Sequence, residues 1–390
     1  MSWKQILSLG RRLRFAKLAL KAQQSMSRLC RLFNISRRTG YKWRRRFEAE
    51  GTRGLRERSH RPHRSPHQLS TRWLVPVRQL HRRHRRWGSR KLAAALRRAN
   101  PRQRVPSART IDYWLQGLGL KRRRLRRSRR GPELPRQVLS LARRSNQVWT
   151  VDFKGWFRTG DGKRAEPLTV RDLFSRYLLE VRVLADQRWE PVRRVFLRLF
   201  HRYGYPGVIR VDNGSPFGSA GPAGLSKLSA WWTALGIRVE FMAPGHPEQN
   251  AGHEQMHGVL KAEITRPASR NRRAQQRRSE RWRKSYNEIR PHEALKQRTP
   301  ATVYRPMPGA ERKPALGYPS DWAVRQVRSN GQIKWQGRKR SVGEAFVGYP
   351  VGLQSKGGGV WVVYFAGHLI GELWASDAGG MRPARQTRRR

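Results

Sequence analysis

The chain has 390 residues with 86 Lys plus Arg against 25 Asp plus Glu, a formal charge of +61. It is therefore too long for one typical domain, and so basic along its length that it calls for a polyanionic partner. The single cysteine, Cys30, excludes a disulfide framework, and no apolar run is long enough to span a membrane. The N-terminus sets Trp3, Ile6 and Leu7 among Lys4, Arg11 and Arg12 and lacks the apolar stretch of a signal peptide. The expectation is a cytoplasmic, multidomain protein.

Residues 14–50 read as helices Phe15 to Gln23, Met26 to Phe33 and Arg37 to Ala49, inside a first helix-turn-helix unit, 1–56. Leu29 and Leu32 before the break at Asn34-Ile35-Ser36, and Tyr41 and Trp43 after it, are the expected apolar contacts. Ser36 is placed to cap the second helix of the motif, whose Arg37, Arg38, Lys42, Arg44, Arg45 and Arg46 would enter or flank a major groove. A plain helical bundle with a solvated basic face is the competing reading. Cys30 reads as a buried small apolar residue.

A Pro- and Ser-rich linker, 57–70, leads to a second unit, 71–120. It has helices from Thr71 to Arg86 and Ser89 to Arg98, with Leu92, Ala95 and Leu96 inward. A third helix is capped by Ser107 and places Arg109 and Thr110 for groove entry. The linker 121–140 includes Lys121 to Arg130, eight basic residues in ten, which suits a phosphate-tracking arm or a solvated linker.

From 141 to 306 the pattern is β-β-β-α-β-α-β-α. Val148-Trp-Thr-Val-Asp152 is a β run ending near an acid, Gly160-Asp-Gly is a hairpin turn, and Pro167 to Arg171 and Tyr177 to Val183 are strands. An amphipathic helix, Glu190 to Tyr203, precedes Val208-Ile-Arg-Val-Asp212, a strand delivering a second carboxylate into the turn Asn213-Gly214. After a helix with Trp231 and Trp232, read as core-filling, and a strand from Ile237 to Phe241, a helix starts near Asn250. It carries Glu254 in its first turns, where the helix dipole favours an acid. Met256, Val259, Leu260 and Ile264 form its inward face, and Glu254, His257 and Lys261 share another. Asp172 is expected in a structural salt bridge with a neighbouring Arg.

A very basic helix, Arg270 to Tyr286, and an Arg290-Pro-His segment packed on the core follow. Alternating β-branched and aromatic residues between Trp322 and Trp374, broken by Gly turns, predict a small five-stranded, SH3-like barrel over 320–376. The tail 377–390 is expected to be disordered.

Trp149-x-x-Asp152, Asp212-Asn213-Gly214, Asn250-Ala251-x-x-Glu254, Tyr286-Asn287-x-x-Arg290-Pro291-His292-x-Ala294-Leu295 and Thr299-Pro300-Ala301 occur in this order. The set resembles the integrase-core transposases of bacterial insertion sequences, relatives of retroviral integrases, and the likeness runs from about Ser25 to Tyr304. It implies an α/β RNase H-like core with a mixed five-stranded sheet between helical helix-turn-helix units and the all-β barrel. Position by position, Asp152, Asp212 and Glu254 match the metal-binding acids. The resemblance further implies nucleoid association, a homo-oligomer on DNA, binding of element terminal repeats and target DNA, and a freed 3′-OH that attacks the target.

Thirty-five residues separate Glu248 from Asp212, the retroviral spacing, whereas 41 separate Glu254 from it. The motif nevertheless ends at Glu254, and the insertion-like Ser219 to Leu225 stretch accounts for the longer gap. Oxygen ligands without cysteine select a hard cation, two Mg²⁺ or Mn²⁺. Lys261, two turns beyond Glu254, is about 10 Å along the helix axis and can reach a phosphate near the cut. A single cysteine leaves no room for the retroviral His/Cys zinc module. A catalytically silent DNA-binding regulator and a purely hydrolytic RNase H-like nuclease remain as alternatives.

Overall fold

A computed structural model describes residues 3–58, 71–121, 139–243, 249, 251–307, 309, 312–314 and 316–383. Most of the linker 57–70, the basic run beyond Lys121, Glu248, Asn250 and the tail from 384 lie outside them. The chain divides into two compact units, 1–70 and 71–390.

The first unit holds α1 (Trp3–Leu20), α2 (Met26–Leu32) and α3 (Arg37–Glu50). Phe15 is its centre: fully buried, it meets Phe33 edge-on at 5.4 Å and Trp43 at 5.9 Å, with Ala19, Leu29 and Cys30 around it. Ser25 and Ser36 cap α2 and α3 by accepting the amides of Arg28 and Thr39. Gly40 permits the crossing, because a Cβ there would lie 2.5 Å from Cys30 Sγ and 2.9 Å from Phe15 Cζ. Two expected core contacts are absent, since Leu32 is 71% and Tyr41 52% exposed. With Leu29 and Cys30 already facing Phe15, Leu32 falls on the outer side of a helix only seven residues long.

The second unit begins with α4 (Leu74–Arg83), α5 (Ser89–Ala99) and α6 (Ala108–Gly117) around Trp73, Val77, Leu92, Leu96, Ile111 and Leu115. Its strands and helices then run β1 (Val148–Phe153), β2 (Phe157–Arg158), β3 (Arg164–Asp172), β4 (Leu178–Leu184), α7 (Trp189–Tyr203), β5 (Val208–Val211), α8 (Lys227–Ala234), β6 (Arg238–Phe241) and α9 (Ala251–Ile264). The sheet order is β4-β3-β1-β5-β6, with β2 a short addition to β3. β1, β3 and β4 are antiparallel, while β5 and β6 run parallel to β1. This is the mixed RNase H-like sheet that the family resemblance implies.

One face of the sheet presents Trp149, Val151, Ile209 and Val211 to α7 and α8. Val192, Val195, Phe196, Leu199 and Phe200 recur along α7 at three- and four-residue steps, each fully buried aromatic or branched side chain stabilising by about 1.5–3 kcal/mol. Trp231 and Trp232 fill this core as expected. The opposite face carries Thr150, Thr169 and Arg171 and is covered by α9 and then α10 (Arg272–Glu288).

Asp172 departs from expectation. It is fully buried, and its carboxylate accepts the amides of Asn146 (2.9 Å) and Ser175 (2.8 Å) and the Ser175 hydroxyl (2.5 Å), so hydrogen bonds replace the predicted ion pair. Desolvation holds its carboxyl above the usual range, opposed by those bonds.

After the short α11 (Pro300–Val303), the C-terminal part is all β. A five-stranded antiparallel sheet has the order β13 (Arg382–Pro383), β12 (His368–Trp374), β11 (Val360–Phe365), β10 (Pro350–Gly357), β7 (Ala323–Gln326). The hairpin β8 (Gln332–Trp335) and β9 (Arg338–Ser341) accompanies it. Residues 382–383 pair with β12 and Arg382 binds Asp377, so the tail read as disordered from 377 is ordered through 383. Leu225, Ala230 and Ala234 share a core with Ile333, Phe346 and Leu373, and Lys227 pairs with Glu344 at 3.2 Å. The insertion-like stretch before α8 therefore helps seat the β sheets on the core.

Candidate active site and nucleic-acid interface

β1 and β5 lie side by side and parallel, with Thr150 opposite Arg210. Two residues further, in the same phase of each strand, come Asp152 and Asp212. Continuing that register puts both acids in phase with Thr150 and Arg210, Asp152 within β1 and Asp212 just past the end of β5, on strands about 4.8 Å apart. Asp212 sits at the strand end in a local turn, accepting the Gly214 amide at 3.2 Å. Asn213 fixes the turn by donating to the Met242 carbonyl at 2.7 Å. Desolvation raises the Asp212 carboxyl above its ordinary value despite its exposed surface, and the Gly214 bond opposes the shift.

α9 is anchored across this face by its first turns. Buried Arg171 on β3 donates to the Gly252 carbonyl at 2.6 Å, and a Cβ on Gly252 would meet that guanidinium at 2.5 Å. One turn apart, the Nε2 atoms of His253 and His257 reach Thr169 Oγ1 at 3.1 and 2.8 Å. Thr169 stands opposite Asp152 and donates to its backbone carbonyl at 2.9 Å. His257 Nδ1 lies 3.8 Å from Asp152 Oδ2. Burial, aided by the charges of Lys154 and Arg171, pushes the His257 imidazole down to about 3, so it is neutral near pH 7.

Glu254 follows His253 and is exposed, and Lys261 is exposed on the same helix. His257 differs from expectation, because it turns in to the sheet instead of sharing the outward face of Glu254 and Lys261. Among the described residues no group of three or more His, Cys, Asp or Glu is arranged to hold a metal ion. Asp152 and Asp212 are brought to one face, while Glu254 remains in solvent on the helix above it. In donor chemistry the three acids fit a hard divalent cation.

Several contributors escaped the sequence reading. Lys154 is held below the usual lysine value by burial and then by the charge of Lys261, against the pull of Asp152, which makes Lys154 and Lys261 a cationic pair beside the acid. Its signal was present as a Lys two residues after Asp152. Arg171 and Thr169 left none, because their roles depend on which strand face meets α9.

In the first unit Arg37, Arg38, Lys42 and Arg45 are exposed along α3, as a groove-reading face requires. Arg44 is half-buried and pairs with Glu48 at 2.8 Å, which reduces its availability to a phosphate. In the second unit the Ser107 hydroxyl accepts the Thr110 amide at 3.2 Å, and Arg109 is exposed. α5 packs on the Arg-Pro-His segment: Arg98 donates to the Ile289 carbonyl at 2.7 Å and Arg90 pairs with Glu293 at 3.2 Å. Burial there, with Arg290 nearby, pushes the Lys91 ammonium down to about 8. Among the described residues no helix is long and apolar enough to cross a membrane.

The sheet order and the alternation of strands and helices are those of an RNase H-like integrase core. The family described as integrase core domain matches residues 142–247 and, in a second form, 235–300. A helix-turn-helix domain matches 11–63, a homeodomain-like domain 39–115, and the IS481 family transposase C-terminal domain 322–374. A protein of insertion element IS407 from Burkholderia multivorans is 30% identical over 224 residues, 57% of this chain and 77% of that protein. One of insertion element IS476 from Xanthomonas euvesicatoria is 31% identical over 57% of this chain and 62% of its own length. Similar solved structures include the HTLV-2 integrase catalytic core domain in complex with magnesium (15% identity, TM-score 0.34, 42% of this chain, 100% of that one). Another is a simian T-cell lymphotropic virus intasome in complex with a PP2A regulatory subunit (17%, TM-score 0.37, 73% and 91%). The chain belongs to the integrase-core transposases of bacterial insertion elements.

Proposed function

We propose that the protein binds the terminal inverted repeats of its element and catalyses metal-dependent phosphodiester cleavage followed by strand transfer into target DNA, with Asp152, Asp212 and Glu254 as the metal-binding acids. The observation that carries this reading is the placement of Asp152 and Asp212 in the same phase of adjacent parallel strands, beneath the helix that bears Glu254. Asp152, Asp212 and Glu254 would hold two Mg²⁺ or Mn²⁺ ions, which when bound would supply Lewis-acid polarisation of the scissile phosphate. The chain's own residues do the rest. Lys154 and Lys261 neutralise phosphates flanking the cut, and Arg171 fixes α9 against the sheet so that Glu254 is presented from a rigid element. The exposed basic faces of α3 and α6 select the DNA end, their phosphate contacts supplying affinity and their base contacts supplying choice. A homo-oligomer would bring two ends together.

Purified full-length protein incubated with its own element ends, an unrelated duplex and Mg²⁺ should nick and join only the former. Binding should weaken steeply between low and moderate salt. Arg37→Ala with Arg38→Ala should erase the preference for element ends while leaving salt-sensitive binding to any duplex. A preference retained by that double variant would place the reader elsewhere, and equal binding to scrambled DNA by the unmodified protein would remove end selection from the proposal. Hydrolysis without joining would instead favour the nuclease.

Lys261→Ala should slow joining of a precut end by about tenfold or more, as expected when a positioned phosphate contact is lost. Lys284→Ala, on the exposed side of α10, should change it little. Similar small losses at both would reduce Lys261 to one charge among many.

A further inference from the structure

The unexplained feature of this site is the histidine pair beneath α9. Thr169 Oγ1 has one proton and three partners: the Asp152 carbonyl at 2.9 Å, His257 Nε2 at 2.8 Å and His253 Nε2 at 3.1 Å. The carbonyl can only accept, so it takes the threonine proton. Both histidines must then donate from Nε2 to the two lone pairs of the same hydroxyl. That bookkeeping satisfies Oγ1 completely and fixes the tautomer of each ring, leaving both Nδ1 atoms as bare acceptors. His253 Nδ1 is buried without a hydrogen-bond partner, and His257 Nδ1 faces Asp152 Oδ2 across 3.8 Å. Two acceptors that close, one of them a carboxylate oxygen, form a pair that a cation between them would bridge favourably.

We infer that His257 Nδ1 is a metal ligand paired with Asp152 Oδ2, making the Asp152 side of the site a mixed nitrogen and oxygen half-site that prefers Mn²⁺ and similar transition ions over Mg²⁺. This deepens the proposed function and rests on Asp152 being a metal-binding acid. Metal–ligand bonds of about 2.1 Å to each atom together exceed the 3.8 Å gap, so an ion fits between them, and an octahedral angle asks for a closure of under about 1 Å. Imidazole nitrogen discriminates against Mg²⁺, which demands oxygen and dehydrates reluctantly. The hydrogen bond from Nε2 to Thr169 is the outer contact that orients a ligating imidazole. Since Nδ1 already lacks a proton, metal binding displaces none from His257.

The test is Mn²⁺ binding to the full-length protein without DNA, followed by electron paramagnetic resonance and by pulsed detection of nitrogen coupling to the bound ion. The unmodified protein should show a nitrogen coupling that is lost in His257→Asn, together with a 10- to 100-fold loss of Mn²⁺ affinity and a much smaller change for Mg²⁺. Circular dichroism and thermal melting verify folding, and Thr169→Val, which keeps the imidazole but removes its orienting contact, should weaken Mn²⁺ binding by a smaller factor. If Asp152→Asn abolishes binding while folded His257→Asn binds Mn²⁺ as before, or if no nitrogen coupling is seen, the inference falls and the proposed function stands. If Asp152→Asn leaves Mn²⁺ binding intact, the proposed function falls with it.

Discussion

Glu254→Gln is expected to abolish DNA cleavage and joining, by on the order of 10³-fold or more, while leaving binding to element ends unchanged. The substitution keeps the size and hydrogen-bonding reach of the side chain and removes only the negative charge, so a large loss reports charge stabilisation at the reacting phosphate. Glu254 is the residue for which this separation is cleanest. It is exposed, makes no contribution to the apolar face of Met256, Leu260 and Ile264, and lies on a helix fixed by Arg171 and Thr169. Glu248→Gln, the substitution favoured by spacing alone, should keep most activity. A gel assay of cleavage with a parallel binding assay decides between them, and equal losses at both positions would overturn the assignment.

Asn146→Ala should destabilise the catalytic unit by about 3–6 kcal/mol, the largest effect expected from a residue outside the site. Its side-chain carbonyl accepts Trp149 Nε1 at 2.9 Å and the Tyr304 hydroxyl at 2.7 Å, while its amide donates to the Tyr203 carbonyl at 2.8 Å. These partners come from β1, the end of α7 and the segment after α11, so one buried side chain ties three parts of the core. Alanine would strand two buried polar groups, Trp149 Nε1 and the Tyr304 hydroxyl, at about 1–3 kcal/mol each, and would leave the Tyr203 carbonyl with only the Met307 amide at 3.3 Å. It would also occupy a left-handed conformation, φ 60°, which asparagine tolerates better. Urea unfolding followed by tryptophan fluorescence measures the change. Tyr304→Phe, which removes one bond, should cost about 1 kcal/mol, and a loss below that for Asn146→Ala would show that the hub is not holding these elements together.

What could be read in advance was local. The β1 to α9 order followed from runs of alternating or three- and four-spaced apolar residues and from turn signals such as Gly160-Asp-Gly. The caps at Ser36 and Ser107 followed from residue type alone. The family motifs picked out Asp152, Asp212 and Glu254, and the two N-terminal helical units were legible in the same way. Where a local rule was extended to packing it failed. Leu32 has the composition of a core residue and faces solvent, and Asp172 has arginine neighbours in the chain yet is satisfied by Asn146 and Ser175.

The sequence by itself determined which segments become strands and helices, which acids end them, and that the surface is overwhelmingly cationic, because periodicity, capping and charge act within a few residues. Only the tertiary structure decided that Asp152 and Asp212 share a face, since that depends on the parallel register of β1 with β5 across some sixty intervening residues. It alone turned His257 inward to Thr169, seated α5 on the Arg-Pro-His segment, and placed the C-terminal sheets on Leu225 and α8. Each of these contacts joins elements distant in the chain, and they form because burying one element's apolar or polar face requires a particular partner, which no window of sequence contains.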